Sequence, residues 1–247
     1  MNKTLAIIDG DSLCFLGSKD TIQESIDRVD TVISGIFEAT GSTSYYLLLS
    51  KGPYFRHSVN EEYKGKRTKS PLKYLSTLKQ YLREQYLAEY WKGVEADDAV
   101  AYIQQLFLDG KLPEFTNTFV CSLDKDVKKQ VEGNMYDYRK NEFSVTTAEE
   151  AQKFLHIQSI MGDSTDNIKG IPGHGPAKAT KLIEAAKAEL HPLVAYKAYL
   201  EHYGEPGYAL YEYQKNYRQV YMLRTDSDFQ NEVGYVPELN DPINIIK

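Results

Sequence analysis

Short, mostly apolar runs that end beside carboxylates or small polar residues recur along this chain, and they limit its fold more than any other feature. Residues 4–8 (Thr-Leu-Ala-Ile-Ile) lead into Asp9-Gly10-Asp11, and residues 44–49 (Ser-Tyr-Tyr-Leu-Leu-Leu) lead into Ser50. Residues 118–122 (Thr-Phe-Val-Cys-Ser) lead into Asp124-Lys125-Asp126, and residues 134–138 offer a candidate fourth strand. Runs of this length and polarity read as buried strands. Helical spacing fills the intervals. Ile22, Ile26, Val29, Val32, Ile33 and Ile36 share one face of 21–39, and Leu72, Leu75, Leu78, Leu82 and Tyr86 share one face of 71–90. Glu95-Ala96-Asp97-Asp98 opens a further helix to about Leu108. Strands alternating with helices predict an α/β fold, a twisted and mainly parallel sheet flanked by helices.

Beyond the last strand signal the pattern turns helical. Thr147 and Glu150 have capping-box spacing and open a helix towards Met161. A Gly/Pro-punctuated segment at 162–176 follows, then a helix over 176–188 and more helix to about 223. This predicts an α/β core over 1–150 with a basic segment at 60–92, a helical part over 151–225, and a loosely structured tail over 226–247. Residues 51–70 read as irregular.

With 247 residues, 42% of them apolar, the chain can bury a full core. Cys14 and Cys121 both lie in or beside apolar runs, which predicts buried reduced thiols rather than a disulfide framework or a zinc site. No stretch approaches membrane-spanning length, and the first apolar run reads as a strand rather than a signal peptide. No membrane partner and a cytoplasmic location are therefore expected, the host cytoplasm if a phage encodes the chain; nothing implies an oligomer. The net charge is −6, which would not suggest a nucleic-acid binder. Its distribution does: Lys64, Lys66, Arg67, Lys69, Lys73, Lys79 and Arg83 fall in a run, 63–83, whose only charges are basic.

Carboxylates gather where a parallel sheet builds its sites, at the carboxyl ends of strands. Asp9 and Asp11 follow the first strand, Asp124 and Asp126 follow the third, Glu95, Asp97 and Asp98 sit at a helix start, and Asp163 and Asp166 lie in a turn. Each group alone reads equally as a cap or a turn. Together they form a set of hard oxygen donors suited to Mg²⁺ or Mn²⁺, and two such ions can activate water and clamp a phosphodiester. Periodicity does not show that the groups converge.

The segment 162–180 reads Gly-Asp-Ser-Thr-Asp-Asn-Ile-Lys-Gly-Ile-Pro-Gly-His-Gly-Pro-Ala-Lys-Ala-Thr. Gly170, Gly173 and Gly175 permit tight turns and close backbone approach, and Pro176 suits the first turn of a helix. Exposed N–H groups at such a turn hold phosphate without reading bases. A plain connecting loop is the competing account. The five histidines carry no convincing role, and His174, within the turn, reads as a backbone neighbour rather than a base.

These motifs, in this order, resemble the 5′-nuclease superfamily, which includes flap endonucleases, phage 5′→3′ exonucleases and the 5′-nuclease domain of bacterial DNA polymerase I. Met161 to Ala179 resembles its helix–three-turn–helix signature, Glu95-Ala-Asp-Asp its Glu-Ala-Asp-Asp motif, and Ser122-Leu-Asp-Lys-Asp its Ser-Gly-Asp-Lys-Asp motif. Ile8-Asp-Gly resembles the first-strand motif, and Tyr63-Lys-Gly-Lys-Arg the Tyr-Lys-x-Asn-Arg motif at the base of the family's arch. The resemblance implies a PIN-like 5′-nuclease core with a helical arch and a helix–three-turn–helix duplex-binding part. It implies metal-dependent hydrolysis of DNA carrying a free or flapped 5′ end. Two Mg²⁺ ions (or Mn²⁺) are implied. One group would involve Asp9, Glu95 and Asp97 with Asp98 close by, the other Asp124, Asp126, Asp163 and Asp166. A K⁺ ion at the helix–three-turn–helix turn is implied as well. Asp9 and Asp124, with Lys64 and Arg67 beside the scissile phosphate, would carry catalysis. Tyr63, Lys64, Lys66, Arg67, Gly170, Gly173, Gly175 and Lys178 would contact DNA. Tyr63 would either stack on a base or simply pack.

One departure is plain. The family carries an Asp just after the second strand, yet no acid occurs between Glu38 and Glu61, and Ser50 or Leu49 occupies the position. Asp11 is a candidate substitute, since side chains two apart on a strand share a face. The departure leaves open a weakened branched-DNA-binding protein of the same fold, or an RNA-directed relative.

Overall fold

The computed structural model describes residues 3–66 and 72–245. Along the chain run β1 (Thr4–Asp9), α1 (Gly10–Gly17), α2 (Ile22–Thr40), β2 (Ser44–Leu49), α3 (Arg56–Val59), α4 (Leu75–Gln85), β3 (Glu89–Tyr90) and α5 (Ala96–Leu108). There follow β4 (Asn117–Cys121), α6 (Lys125–Gln130), β5 (Gly133–Asp137), β6 (Glu142–Thr146), α7 (Ala148–Met161) and α8 (Pro176–Glu184). A short 3-10 turn at Ala188–Leu190 precedes α9 (His191–Tyr203), α10 (Pro206–Val220), α11 (Asp226–Val233) and β7 (Ile243–Asn244). The chain forms two compact units. One comprises the chain up to Tyr54, the stretch ending at Thr146, and the chain from Leu223 on; the other comprises the stretch beginning at Phe55 and Thr147–Met222.

The first unit holds the whole sheet, in the order β3-β2-β1-β4-β5-β6, with β7 also on β2. Pairing is parallel from β3 through β5, whereas β6 runs antiparallel to β5 and β7 antiparallel to β2. Alternation along β1 divides the core. Ala6 and Ile8 face a cluster with Val29, Ile33 and Ile36 of α2 and Leu78 and Leu82 of α4. Leu5 and Ile7, also buried, face the opposite side, where α5 packs. Helices thus cover both faces, which is why the central strands read as continuous apolar runs. Cys14 and Cys121 are buried free thiols, and burial pushes the Cys14 thiol up to about 12.

Several elements differ from the sequence-based expectation. The helix expected over 71–90 spans Leu75–Gln85, because Leu87 takes a left-handed φ of 52° and turns the chain into β3. The last strand is not near residue 138: β6 follows in a hairpin. The tail carries a helix and a short strand. Thr225 and Asp228 form a capping box that opens α11, and Phe229 is fully buried with its ring 4.8 Å from Tyr102 and 5.8 Å from Trp91. Tyr102 donates to Asp226 at 2.7 Å.

The second unit is helical. Its core joins Ile157, Ile160, Ile171, Ala179, Ile183 and Tyr199 from α7, α8, α9 and their connections. The stretch from Phe55 joins this unit through polar contacts. Buried Arg56 donates to the carbonyls of Gln219 (2.8 Å) and Tyr221 (2.7 Å), and Asn60 donates to Gln219 at 2.8 Å. Among the described residues no helix is long and apolar enough to cross a membrane.

Candidate active site

At the carboxyl edge of the parallel strands, local sequence fixes each carboxylate. Asp9 ends β1 and caps α1, its Oδ1 accepting the amides of Asp11 (3.0 Å) and Ser12 (3.2 Å). Its Oδ2 accepts the Ser12 hydroxyl and, at 2.8 Å, the Ser122 hydroxyl from the end of the neighbouring β4. Burial and the Asp11 charge raise the Asp9 carboxyl to about 6, against the lowering effect of the two serines. Ser122 also accepts the Asp124 amide, and Asp124 caps α6 by accepting the Asp126 amide at 2.6 Å.

Glu95 caps α5 in a reciprocal box with Asp98. Asp98 is fully buried; one of its oxygens accepts the Glu95 amide at 3.0 Å and the other the Leu223 amide at 3.1 Å. It serves the fold, holding a helix start and the chain that leads to α11. Asp97, the next residue up, is only half-buried. Ser50 follows β2, and its hydroxyl accepts the Ala96 amide at 2.8 Å. Ser50 therefore supports the start of α5. Asp11 is engaged as well, with Lys79 2.6 Å from its Oδ1.

Sequence reasoning missed one neighbour. Tyr138 lies just past β5, and its hydroxyl is held well above the ordinary phenol range by burial and then by the Asp9 charge. A lone Tyr after a strand gives no sequence signal of this kind. Among the described residues, no group of three or more His, Cys, Asp or Glu side chains is gathered closely enough to hold a metal ion. The donor chemistry of Asp9, Glu95, Asp97, Asp124 and Asp126 nonetheless suits a hard divalent ion, all being carboxylates: Asp9 ends β1, Asp124 and Asp126 follow β4, and Glu95 and Asp97 open α5.

Within the second unit, Asp163 is buried and Asp166 half-buried, both in the loop between α7 and α8. The loop closes on itself: Asp163 and Ile168 exchange backbone bonds of 2.9 and 2.8 Å, and the Asp163 side chain accepts the Thr165 amide at 2.7 Å. The Tyr63 motif is moored to this loop. The Lys64 amide donates to the Asp166 carbonyl at 2.8 Å, the Tyr63 hydroxyl reaches Asp166 at 3.1 Å, and the Lys64 ammonium stands 3.7 Å from the same oxygen. Tyr63 is only 4% exposed, so its ring packs, against His57, and is not presented for stacking on a base. Lys66 is exposed, and Arg67 lies outside the described residues.

The glycines of this loop divide into two kinds. Gly162 and Gly170 face one another; a Cβ on Gly170 would stand 2.3 Å from the Met161 carbonyl carbon and 2.5 Å from the Gly162 nitrogen. Gly173 and Gly175 have open space on that side, beside exposed Lys178 at the start of α8.

The architecture defines an α/β protein with carboxylates along one edge of a parallel sheet and a second, helical unit carrying a glycine-rich hairpin. No family model matches the chain. It is 27% identical over 172 residues to a 5′-3′ exonuclease of Mycoplasmopsis pulmonis, across 64% of this chain and 56% of that one. To the 5′-3′ exonuclease of Mycoplasma pneumoniae it is 25% identical over 215 residues, across 74% and 72%. The chain spans 51% of the Mycoplasma genitalium 5′-3′ exonuclease, so it matches about half the length of two of these relatives. Among solved structures, the phage T5 D15 protein co-crystallised with metal ions superposes with a TM-score of 0.65 at 21% identity, covering 88% of this chain and 89% of that one. The catalytic core of Rad2 in complex with a DNA substrate superposes with a TM-score of 0.54 at 14% identity, covering 98% and 82%. The resemblance to the 5′-nuclease superfamily read from the motifs is thus supported by sequence relatives and by a shared fold.

Proposed function

We propose that this chain is a divalent-metal-dependent 5′ nuclease that hydrolyses DNA phosphodiesters near 5′ ends, as an exonuclease, a flap endonuclease or both. What supports the reading is the likeness to 5′-3′ exonucleases and to the T5 fold, together with Asp9 at the end of β1, Asp124 and Asp126 after β4, and Glu95 and Asp97 at the start of α5. These carboxylates would hold the ions, Mg²⁺ with Mn²⁺ able to replace it; Asp163 and Asp166 carry the same donor chemistry. Bound ions supply the Lewis acidity that activates water and offsets charge on the leaving oxygen. The chain supplies the rest. Ser12 and Ser122 orient the Asp9 carboxylate, and Asp126's amide orients Asp124. Lys64, and Arg67 beyond the described residues, offset phosphate charge as it develops. The α7–α8 loop, through Gly170, Gly173, Gly175, Lys178 and a K⁺ ion at the turn, would bear duplex backbone.

Digestion of 5′-labelled linear duplex and 5′-flap DNA in Mg²⁺ tests the reading. Short labelled products from the natural protein, and none from Asp124→Ala, support it; the size ladder separates exonuclease from flap cutting. Binding without cutting, in Mg²⁺ and in Mn²⁺, would overturn it. Backbone contact also requires affinity to fall steeply with salt.

A further inference from the structure

Lys79 belongs by sequence to the acid-free basic run, where a solvated or DNA-facing side chain is expected. The fold turns it inward instead. Its side chain is 18% exposed, and its ammonium sits 2.6 Å from Asp11 Oδ1 while donating to the Ser50 carbonyl at 2.7 Å. Asp11 Oδ1 also accepts the Ser50 amide at 3.3 Å. Lysine, aspartate and the residue after β2 therefore close a small ring at the strand edge. The next basic residues behave differently. Arg83, one turn along α4, and Lys51 lie over the Tyr90 ring at 5.1 and 5.8 Å, lining an open groove of about 550 Å³. Lys79 lines the same groove, but its ammonium is held by a carboxylate, whereas Arg83 and Lys51 lie over an aromatic ring.

We propose that Lys79 is a positioning residue that withholds Asp11 from the metal shell, its ammonium acting as a resident cation on that side of the edge. This rests on the metal-dependent reading above. Asp11 is the acid two residues from Asp9, and it is the group that would otherwise offset the missing acid at Ser50. With the ammonium in contact, a divalent ion at Asp9 binds without Asp11 or must first displace Lys79. The substitute role for Asp11 is thereby replaced by a different one: it anchors Lys79 and, through it, α4 against the end of β2.

The test is a Mn²⁺ titration of DNA-free protein followed by the electron paramagnetic resonance signal of free Mn²⁺. Lys79→Met keeps the stem, removes the charge and frees Asp11; Mn²⁺ affinity rises about tenfold, the scale of one competing ion pair. Lys79→Arg retains the natural affinity. Asp11→Asn alone leaves Mn²⁺ affinity within about twofold, and Lys79→Met with Asp11→Asn loses the gain. An unchanged or weaker Mn²⁺ affinity in Lys79→Met overturns the proposal. So does a tenfold loss in Asp11→Asn, which needs no folded Lys79 variant to be read. Cleavage by the natural protein in Mn²⁺ is scored separately: a protein that cuts DNA yet shows either of those results refutes the role of Lys79 alone.

Discussion

Gly170→Ala gives the sharpest test of how the α7–α8 loop is built. Gly170 adopts φ +59°, and its missing Cβ would stand 2.3 Å from the Met161 carbonyl carbon and 2.5 Å from the Gly162 nitrogen. The left-handed backbone costs a non-glycine residue about 1–2 kcal/mol. The clash is with backbone on the opposite strand of the loop, so no side chain can rotate away, and over-packing of this kind adds about 1–3 kcal/mol. Together these give a loss of roughly 3 kcal/mol in the second unit. Gly175 is the control: its φ of −68° is ordinary, and a Cβ there meets nothing within 4 Å. Gly175→Ala therefore leaves stability within about 0.5 kcal/mol, the usual range for such surface changes. Urea denaturation followed by circular dichroism reads both, with DNA affinity measured on the same samples. Gly175→Ala weakens DNA binding at unchanged stability if backbone amides there bear phosphate. A Gly170→Ala protein as stable as the natural one would refute the packing argument, because neither strain nor clash would then exist.

Three further outcomes follow from the packing and the charges. His156 is held down to about 4, from 6.5, by burial and then by His191, with the Tyr217 ring stacked on it and its Nδ1 without a hydrogen-bond partner among the described residues. Above pH 6.5 both folded and unfolded forms are neutral. As pH falls from 6.5 towards 4 only the unfolded chain takes the proton, so stability drops, by about 2 kcal/mol after allowance for solvent screening; a His156→Gln variant flattens that interval in a pH series of melts. Phe229→Ala empties the aromatic contact with Tyr102 and Trp91, and costs about 3–4 kcal/mol in the first unit by urea titration. Ser50→Ala removes the acceptor for the Ala96 amide, and its cost is about 1 kcal/mol of stability by the same assay.

Much of the fold was legible because it rests on short-range rules. The runs at 4–8 and 44–49 have the composition of strands buried on both faces, and β1 and β2 form there. Glu95 and Thr147 announce their helices through spacing, and both cap where expected. Elements that depend on distant partners were not legible. The strand β6 carries exposed residues at four of its positions, so its pattern is too polar to read. The α11 helix has a single large buried side chain, Phe229, whose nearer aromatic partners, Tyr102 and Trp91, lie more than a hundred residues away in sequence; only the Thr225–Asp228 spacing could have signalled it.

The same distinction governs the candidate site. Residue type and position put Asp9 and Asp124 just after strands and Glu95 at a helix start, and each caps a helix there. What each side chain does depends on a second residue far away. Asp98 has the spacing of a ligand, and its oxygens also accept the Glu95 and Leu223 amides, the latter partner 125 residues on. Tyr63 has the look of a stacking platform, and its hydroxyl goes to Asp166 across 103 residues. Lys79 reads as one more cation in a basic stripe until Asp11 and Ser50 are seen around it. In each case the motif fixes where a group sits, and the long-range partner fixes its charge and direction. A missing acid at Ser50 is therefore not a simple subtraction. The Ser50 hydroxyl holds the start of α5 and Asp11 holds its own cation, so a Ser50→Asp change alone alters an arrangement that three residues share.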